Sequence, residues 1–318
     1  MLRGLKRYAK AGSGSVELTA IVTVTDDGGS SGRLRREFDV LPPGDIRNCM
    51  VALSRDETLL TKLFQYRFST GRGLKGHSFG NLFLTAMTHL TGDFPRAVKL
   101  ASEVLSVMGR IYPSTAANVV LEATLASGRK VQGETRISQS KVKIRRISLK
   151  PRAPKPLPET LAAIAEADLI TLGPGSLYTS VIPNLLVDGI PQAIAASPAI
   201  KAYFANLMSQ PGETVNYRAS DHVRAIHEHT NCKVIDVCVV NNKPIRGQVL
   251  RRYAAQAAQP VENDVQELVA LGLDVVEADL LRMTPIRGNA PIRHDSGALA
   301  AVAIEIVRRG NRRERRFA

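Results

Sequence analysis

Apolar and polar positions along the chain alternate in a way that predicts a parallel α/β fold. Residues 16–25 (VELTAIVTVT) are β-branched and almost continuously apolar, which is typical of a parallel strand with neighbours on both sides. Helices that alternate with such strands indicate a Rossmann-like doubly wound parallel sheet. The predicted helices cover 2–10, 45–54, 56–68, 78–91, 94–109, 159–167, a segment ending at 186 and one starting at 220, and the further predicted strands cover 169–172, 192–196, 202–207 and 234–240.

Residues 118–155 depart from this alternation and predict a β insert within a single domain that spans 1–318. The runs 119–125 and 130–138, separated by a short turn, predict a β-hairpin. Apolar and basic residues then alternate with period two, and the arginine pair at 145–146 interrupts them. Such an interruption predicts a β-bulge.

The distribution of charge says more about function than its total. The formal net charge is +14, and all of it is accounted for by ten Lys/Arg with one acid in 129–155 and six Arg with one Glu in 308–318. The remainder of the chain is neutral, so we expect a basic insert and a disordered basic tail at 308–318. Few aromatic residues accompany these charges, which argues against specific nucleic-acid recognition. Nucleic-acid binding through the basic insert remains an alternative function, ranked below the two that follow from the motifs.

Several classes of protein and of site are disfavoured by what the sequence lacks. Cys49, Cys232 and Cys238 have neither disulfide-framework nor zinc spacing, which indicates reduced thiols. No apolar run of about 18 residues predicts a membrane span, and the first residues lack the apolar core of a signal peptide. We therefore predict a cytoplasmic protein without a metal site of its own. No GxGxxG motif follows a strand, which disfavours an ordinary dehydrogenase.

Two loops at predicted strand ends carry the candidate chemistry. The first, TDDGGSSG at 25–32, is predicted to be irregular over 26–32; its glycines let backbone N–H groups approach an anion, and its aspartates suit a cation or ribose hydroxyls. The second, GPGS at 173–176, joins a strand to a helix N-terminus, which is a favourable place for a phosphate. Ser176 can cap that helix and donate to the anion.

Two shorter clusters add polar side chains. The motif PPGDIRN at 42–48 contains Asp45 and Arg47; Asp45 is explained equally well as a helix cap, and Arg47 is then free to reach a ligand. The motif GHSFGN at 76–81 places His77 and Asn81 four residues apart, so they share one face of a helix if the helix starts there.

The order of these motifs resembles the CofD-like family, in its gluconeogenesis-factor (UPF0052) branch. The matching segments are TDDGGSSGRLR at 25–35, PPGDIRN, GHSFGNL, LGPGSLYTSVIPNLL at 172–186 and IRHDS at 292–296. The resemblance implies a UDP-sugar ligand, such as UDP-N-acetylglucosamine, and a regulatory role in cell shape, the cell envelope and central carbon control. The alternative is the family's other branch, a 2-phospho-L-lactate transferase that acts on a nucleotide-linked phospholactate.

The resemblance also implies a set of ligand-site residues, without a role for each. They are Thr25, Asp26, Asp27, Gly28, Gly29, Asp45, Arg47, Asn48, His77, Asn81, Gly173, Gly175, Ser176, Tyr178, Asn184 and Arg293. The cofactor compatible with this site is Mg²⁺ that accompanies a nucleotide. The sequence is also compatible with a homo-oligomer. Relatives usually start with a strand and a GGGTGLS turn before the helix that holds LRGLK. Because this sequence starts at that helix, we expect either a longer start or a nucleotide site that lacks this turn.

Overall fold

The computed structural model describes residues 1–9, 16–55, 59–140, 142–246, 248–282 and 291–317. Its helices are α1 (Leu2–Leu5), α2 (Gly29–Phe38), α3 (Gly44–Leu53), α4 (Leu59–Gln65), α5 (Phe79–Thr91), α6 (Phe94–Val104), α7 (Glu134–Ser138), α8 (Pro158–Ala165), α9 (Ile182–Leu185), α10 (Ile190–Ala196), α11 (Ala219–Thr230), α12 (Gln248–Ala254), α13 (Val265–Ala270) and α14 (Ser296–Phe317). Its strands are β1 (Thr19–Val22), β2 (Arg110–Pro113), β3 (Val120–Leu125), β4 (Lys130–Gln132), β5 (Ile144–Lys150), β6 (Leu169–Leu172), β7 (Ile200–Phe204), β8 (Val237–Asn241) and β9 (Asp274–Ala278). Parts of three predicted elements, at Lys10, 56–58 and Lys141, lie outside the described residues.

The described strands form three sheets. β1 pairs in parallel with β2, and β6, β7, β8 and β9 form a four-stranded parallel sheet in that order. Helices flank these sheets, so the predicted Rossmann-like α/β fold is confirmed. The described parallel strands fall into two sheets rather than one, and β1 has β2 as its neighbour where the sequence predicts neighbours on both sides.

The third sheet is the predicted β insert. β3 pairs in antiparallel fashion with β4 on one side and β5 on the other. Thr124 lies opposite Arg146 whereas Leu125 lies opposite Ile144, so Arg145 is an extra residue in β5. This register shift confirms the predicted bulge.

The core is aliphatic, as a chain without tryptophan requires. Buried Val, Ile, Leu and Ala residues of the parallel strands and their helices make up most of it. Helix α1 packs on α14, and Lys6 donates from Nζ to the Ser54 carbonyl oxygen at 2.7 Å. Both ends of the described chain are therefore tied to the body of the fold.

Three predicted elements are wrong. Residues 29–32 form the first turn of α2 instead of a loop, because Ser30 bonds His77 and Ser31 accepts from Asn81, and these contacts outweigh the turn propensity of the glycines. Residues 134–138 form α7 instead of a strand. Residues 190–196 form α10 instead of a strand, with Pro191 in its first turn, where proline is tolerated.

Two strands were missed, and the chain terminus differs from expectation. β2 and β9 mix charged with apolar residues, so neither forms the continuous apolar run that indicates a buried parallel strand. α14 extends to Phe317, so the backbone is helical along most of the segment for which its charge predicts a disordered tail. Ala318 lies outside the described residues.

Cys49, Cys232 and Cys238 are free thiols. Among the described helices, none is both long and apolar enough to cross a bilayer.

Candidate ligand site

The first strand-end loop presents two aspartates just before the N-terminus of α2. Asp26 Oδ1 accepts the Gly28 N–H at 2.8 Å, which closes a tight turn. Asp27 Oδ1 accepts from the Thr135 N–H at 2.9 Å and the Thr135 hydroxyl at 2.7 Å. Thr25 is buried and its hydroxyl bonds that of Thr23 at 3.0 Å, so its side chain supports the loop from below.

The N-terminal ends of α2, α3 and α5 meet at this loop. A Cβ at Gly44, the first residue of α3, would lie 2.7 Å from Asp26 Oδ2 and 2.4 Å from Ser31 Oγ, so only glycine permits this approach. From α5, Asn81 Nδ2 donates to Ser31 Oγ at 3.4 Å. Helix N-termini carry partial positive charge, so their convergence favours an anionic ligand.

Arg47 lies across the start of α5. Its Nε donates to Asn81 Oδ1 and its Nη2 to Asn48 Oδ1, both at 2.8 Å. Burial is the main cause that lowers the pKa of Arg47, and it still stays a cation near neutral pH. The structure thus brings together Arg47, Asn48 and Asn81, which come from two separate sequence motifs.

His77 is buried beside the same loop. Its Nδ1 is 3.0 Å from the Ser30 hydroxyl, in a buried hydrogen bond. Burial, followed by the Arg33 guanidinium, lowers the pKa of His77, so the imidazole is neutral at pH 7. Gly29, the first residue of α2, is exposed next to it.

Carboxylates make the centre of the site electronegative. Burial raises the pKa of Asp45 to about 6, and the charge of Asp26 adds to this effect. Burial raises the pKa of Glu134 to about 8, with further contributions from Asp26, Asp45, Asp27 and Glu213. Within the described ranges, no three His, Cys, Asp or Glu side chains are grouped to hold a metal ion. A proton or a cation brought by a ligand would relieve this repulsion.

The second strand-end loop follows β6. Gly173, Pro174 and Gly175 lead into Ser176, which caps a π-helical turn at Leu177–Val181: Ser176 Oγ accepts the Thr179 N–H at 3.3 Å. The predicted cap is therefore present. The Ser176 hydroxyl proton is donated to Glu213, a residue that sequence reasoning missed.

Helix α7 connects the two loops. Thr135 at its start donates to Asp27, and Ser138 at its end donates to Glu213 Oε1 at 3.2 Å. Glu213 in turn holds Ser176. The sequence pattern of 130–138 predicts a strand, and for this reason it did not identify Glu134, Thr135 and Ser138 as site residues. A helix start was indicated by Gly133 followed by an acidic residue, which is favourable in the first turn of a helix.

Three of the predicted residues lie outside this cluster. Tyr178 is buried behind the second loop, where its hydroxyl is 2.7 Å from that of Tyr217, and burial raises its pKa. Asn184 donates from Nδ2 to the Ser180 carbonyl at 2.9 Å within its own helical segment. Arg293 is exposed, next to His294, whose Nε2 is 3.1 Å from the carbonyl oxygen of Ala205, just after β7.

Two of the three histidines of α11, His222 and His229, are held by hydrogen bonds within the packed interior. His222 Nδ1 bonds the Tyr203 hydroxyl at 2.7 Å in the core. His229 Nδ1 is 2.7 Å from the Ala225 carbonyl, and its Nε2 accepts the Ile147 N–H at 3.0 Å. They belong to packing rather than to the site.

Fold and site together define a Rossmann-like protein whose strand-end loops bring polar and charged side chains together. The chain belongs to the CofD family: the family model described as "2-phospho-L-lactate transferase CofD" matches residues 1–281. This finding confirms the resemblance carried by the motifs.

Individual relatives agree. The chain is 47% identical to the gluconeogenesis factor of Bacillus subtilis, over 97% of this chain and 94% of that protein. It is 50% identical to a putative gluconeogenesis factor of Nostoc, over 96% of this chain and 65% of that longer protein. A crystal structure of a UPF0052-family protein from Bacillus halodurans superposes with a TM-score of 0.89 at 46% identity, over 95% of this chain and 94% of that one.

Proposed function

We propose that the protein is a nucleotide-sugar-binding regulator of the gluconeogenesis-factor type, with a UDP-sugar such as UDP-N-acetylglucosamine as its ligand. It acts in the cytoplasm, in the control of cell shape, the cell envelope and central carbon metabolism. The relatives named gluconeogenesis factors support the regulatory part of this proposal. The ligand part rests on the site.

The observation that carries the proposal is the connection of two strand-end loops by α7. The Gly173–Ser176 turn offers backbone N–H groups at a helical N-terminus, where a pyrophosphate is stabilised. Asp27 and Asn81 offer carboxylate and amide groups, which suit sugar hydroxyls, and Arg47 offers a guanidinium to the phosphates. A UDP-sugar carries its pyrophosphate between a nucleoside and a sugar, so it has a group that suits each of the two loops.

Mg²⁺ fits this arrangement as a companion of the nucleotide. Mg²⁺ is usually bound by one or two carboxylates together with substrate phosphates and water, so it does not need a complete protein cage. Asp26 and Asp45, whose charges repel each other, are the residues that would hold it. The ion would screen the pyrophosphate charge next to these carboxylates.

Isothermal titration calorimetry tests the proposal. We expect UDP-N-acetylglucosamine to bind more tightly than GDP, and to bind more tightly with Mg²⁺ than with EDTA. Asp26→Asn should reduce the Mg²⁺ effect, whereas Asp274→Asn, at an edge strand, is the matched control. Equal or tighter binding of GDP would favour the transferase branch.

That second function is favoured by two observations: the description of the matching family model, and the pKa of Asp45 near 6, which suits a general base. In this reaction an acceptor hydroxyl of a deazaflavin attacks the phosphorus of a nucleotide-linked phospholactate. The new P–O bond forms, the bond to the nucleotide breaks, a nucleoside monophosphate leaves, and Asp45 accepts the hydroxyl proton. Release of nucleoside monophosphate that depends on the deazaflavin, and its loss in Asp45→Asn, would establish it.

A further inference from the structure

A second polar cavity, of about 210 Å³, lies at the carboxyl ends of β7 and β8. Four asparagines line it: Asn206, Asn241, Asn242 and Asn263. In doubly wound folds this edge of a parallel sheet is where ligands bind. None of these four residues is among the motif residues identified from the sequence.

Two of the asparagines are fixed so that an amide oxygen is left over. Asn206 Nδ2 donates to the Gly175 carbonyl at 2.9 Å, and Asn263 Nδ2 donates to the Asn241 carbonyl at 2.6 Å. Because the amide nitrogens face carbonyl oxygens, the amide orientations are set by their bonds. Among the described residues no donor meets either Oδ1, so each is an acceptor open to a ligand.

Two further polar residues of the cavity, Asn241 and Lys243, are already paired. Asn241 donates from Nδ2 to the Lys243 carbonyl at 2.7 Å and accepts the Leu280 N–H at 3.1 Å. The Lys243 ammonium is 2.6 Å from Asp279 Oδ2. The cavity therefore offers acceptors without a free cation, which suits a neutral group that carries N–H or O–H donors and does not suit a phosphate.

The bond from Asn206 to Gly175 places this cavity next to the turn proposed for the pyrophosphate. The neutral, donor-bearing part of a nucleotide that adjoins its phosphates is the nucleoside. Apolar Leu207, Pro260 and Val261 in the lining provide surface for a flat ring.

We propose that this cavity holds the nucleoside end of the ligand, with the amide oxygens of Asn206 and Asn263 accepting from a ring N–H of the base and from a ribose hydroxyl. This inference rests on the proposed nucleotide ligand and adds the residues that select it. The ring N–H contact favours uracil and guanine, which carry such a group, over adenine and cytosine, which do not.

Calorimetry with modified ligands tests the inference. Wild-type protein is titrated with UDP, N3-methyl-UDP, 2′-deoxy-UDP and inorganic pyrophosphate, and the series is repeated for Asn206→Ala and Asn263→Ala. We expect each ligand change to weaken wild-type binding roughly five- to tenfold, as the loss of one hydrogen bond does. Each variant should bind UDP more weakly and become insensitive to one of the two changes. Gln192→Ala, an exposed amide of α10, is the control and should behave as wild type.

The outcomes separate this inference from the proposed function. If wild type binds N3-methyl-UDP and 2′-deoxy-UDP as tightly as UDP, or if both variants keep full sensitivity, the inference is wrong even when UDP-sugars bind. If UDP-sugars fail to bind but GDP binds and depends on Asn206 and Asn263, the inference holds and the ligand proposal fails. The comparison of modified ligands on wild type needs no variant, so a misfolded variant leaves the test intact.

Discussion

At the scale of single residues, the site consists of charged groups held in place by neutral partners. Arg47 is bonded by two amide oxygens rather than by a carboxylate. Among the described residues Arg47 therefore has no direct ion pair that neutralises its charge, which leaves it available to a phosphate. Glu134 shows the opposite situation, since three aspartates and Glu213 surround a carboxyl group that burial already keeps from ionising.

Arg47→Ala should weaken ligand binding without unfolding the protein. A charge-assisted hydrogen bond to a phosphate contributes about 1.5–3 kcal/mol, so the affinity should fall roughly ten- to a hundredfold. Arg36→Ala, at an exposed position of α2, is the control and should bind normally. Arg293→Ala changes a second exposed arginine and should also weaken binding. If calorimetry shows full affinity for both Arg47→Ala and Arg293→Ala, these arginines are structural.

Glu134→Gln should change the pH dependence of stability. The folded-state pKa of Glu134 is about 8, above its ordinary value, so the folded protein binds more protons and the free energy of unfolding falls as pH rises toward 8. Glutamine removes this loss. Urea unfolding should give similar midpoints for both proteins near pH 4 and a higher midpoint for the variant at pH 9. Glu159→Gln, exposed in the first turn of α8, should show no such divergence, and an equal gap at both pH values would contradict the assignment.

At the scale of elements, α7 is the part that makes one site from two loops. It begins immediately after Gly133, whose φ of +94° and position against Asp27 leave no room for a side chain. A five-residue helix has little stability by itself. Its position depends on the bonds that Thr135 and Ser138 make to the two loops.

Gly133→Ala should therefore damage both stability and binding. A Cβ would lie 2.2 Å from Asp27 Oδ2, and the positive φ adds strain of about 1–3 kcal/mol. Gly128→Ala is the matched control, because its φ is +82° but nothing lies within 4 Å of the added Cβ. Both variants should lower the urea midpoint, and only Gly133→Ala should also lower ligand affinity. Equal affinity losses would mean that the contact with Asp27 is unimportant.

Sequence patterns predicted elements well where burial and periodicity agree. The parallel strands β6 and β8, the insert strands and the long helices α5 and α11 follow from such patterns. Prediction failed where tertiary contacts decide the local structure, as at α7 and the first turn of α2. In the site, the glycine loops and the cluster of Arg47, His77 and Asn81 were predictable from motifs. Glu213 and the asparagine-lined cavity were not, because the residues to which Glu213, Asn206 and Asn263 bond are distant in sequence.

At the scale of the whole molecule, the basic insert is an antiparallel sheet set beside the parallel ones. Glu122, buried on that sheet, lies 3.6 Å from both Lys130 Nζ and Lys150 Nζ, which partly neutralises them. Arg145 and Arg146 are exposed. The insert thus offers positive charge on a strand surface with few aromatic groups to stack on bases.

Binding to DNA should accordingly be weak, independent of sequence and sensitive to salt. Fluorescence anisotropy with two unrelated duplexes should detect binding at about 50 mM salt and little at about 200 mM. A variant with Arg145→Glu and Arg146→Glu should lose the low-salt binding, whereas Arg36→Glu on α2 should retain most of it. Selective binding that survives the higher salt would show that the insert recognises nucleic acid.

The separation of the parallel strands into two sheets has a consequence for how the molecule opens. β7 and β8 each have a strand on both sides, whereas β1 and β2 form a pair in the described structure. Backbone amides of β7 and β8 should therefore be protected longest in deuterium exchange, and those of β1 should be among the first strand amides to exchange.

The loop with Asp26 and Asp27 follows β1, so the ligand would be bound by the less protected part of the fold. When ligand is added, deuterium exchange measured by mass spectrometry should slow in residues 19–28 and change little in β7. Uniform protection of all the strands in the free protein would instead show that the two sheets open as one unit.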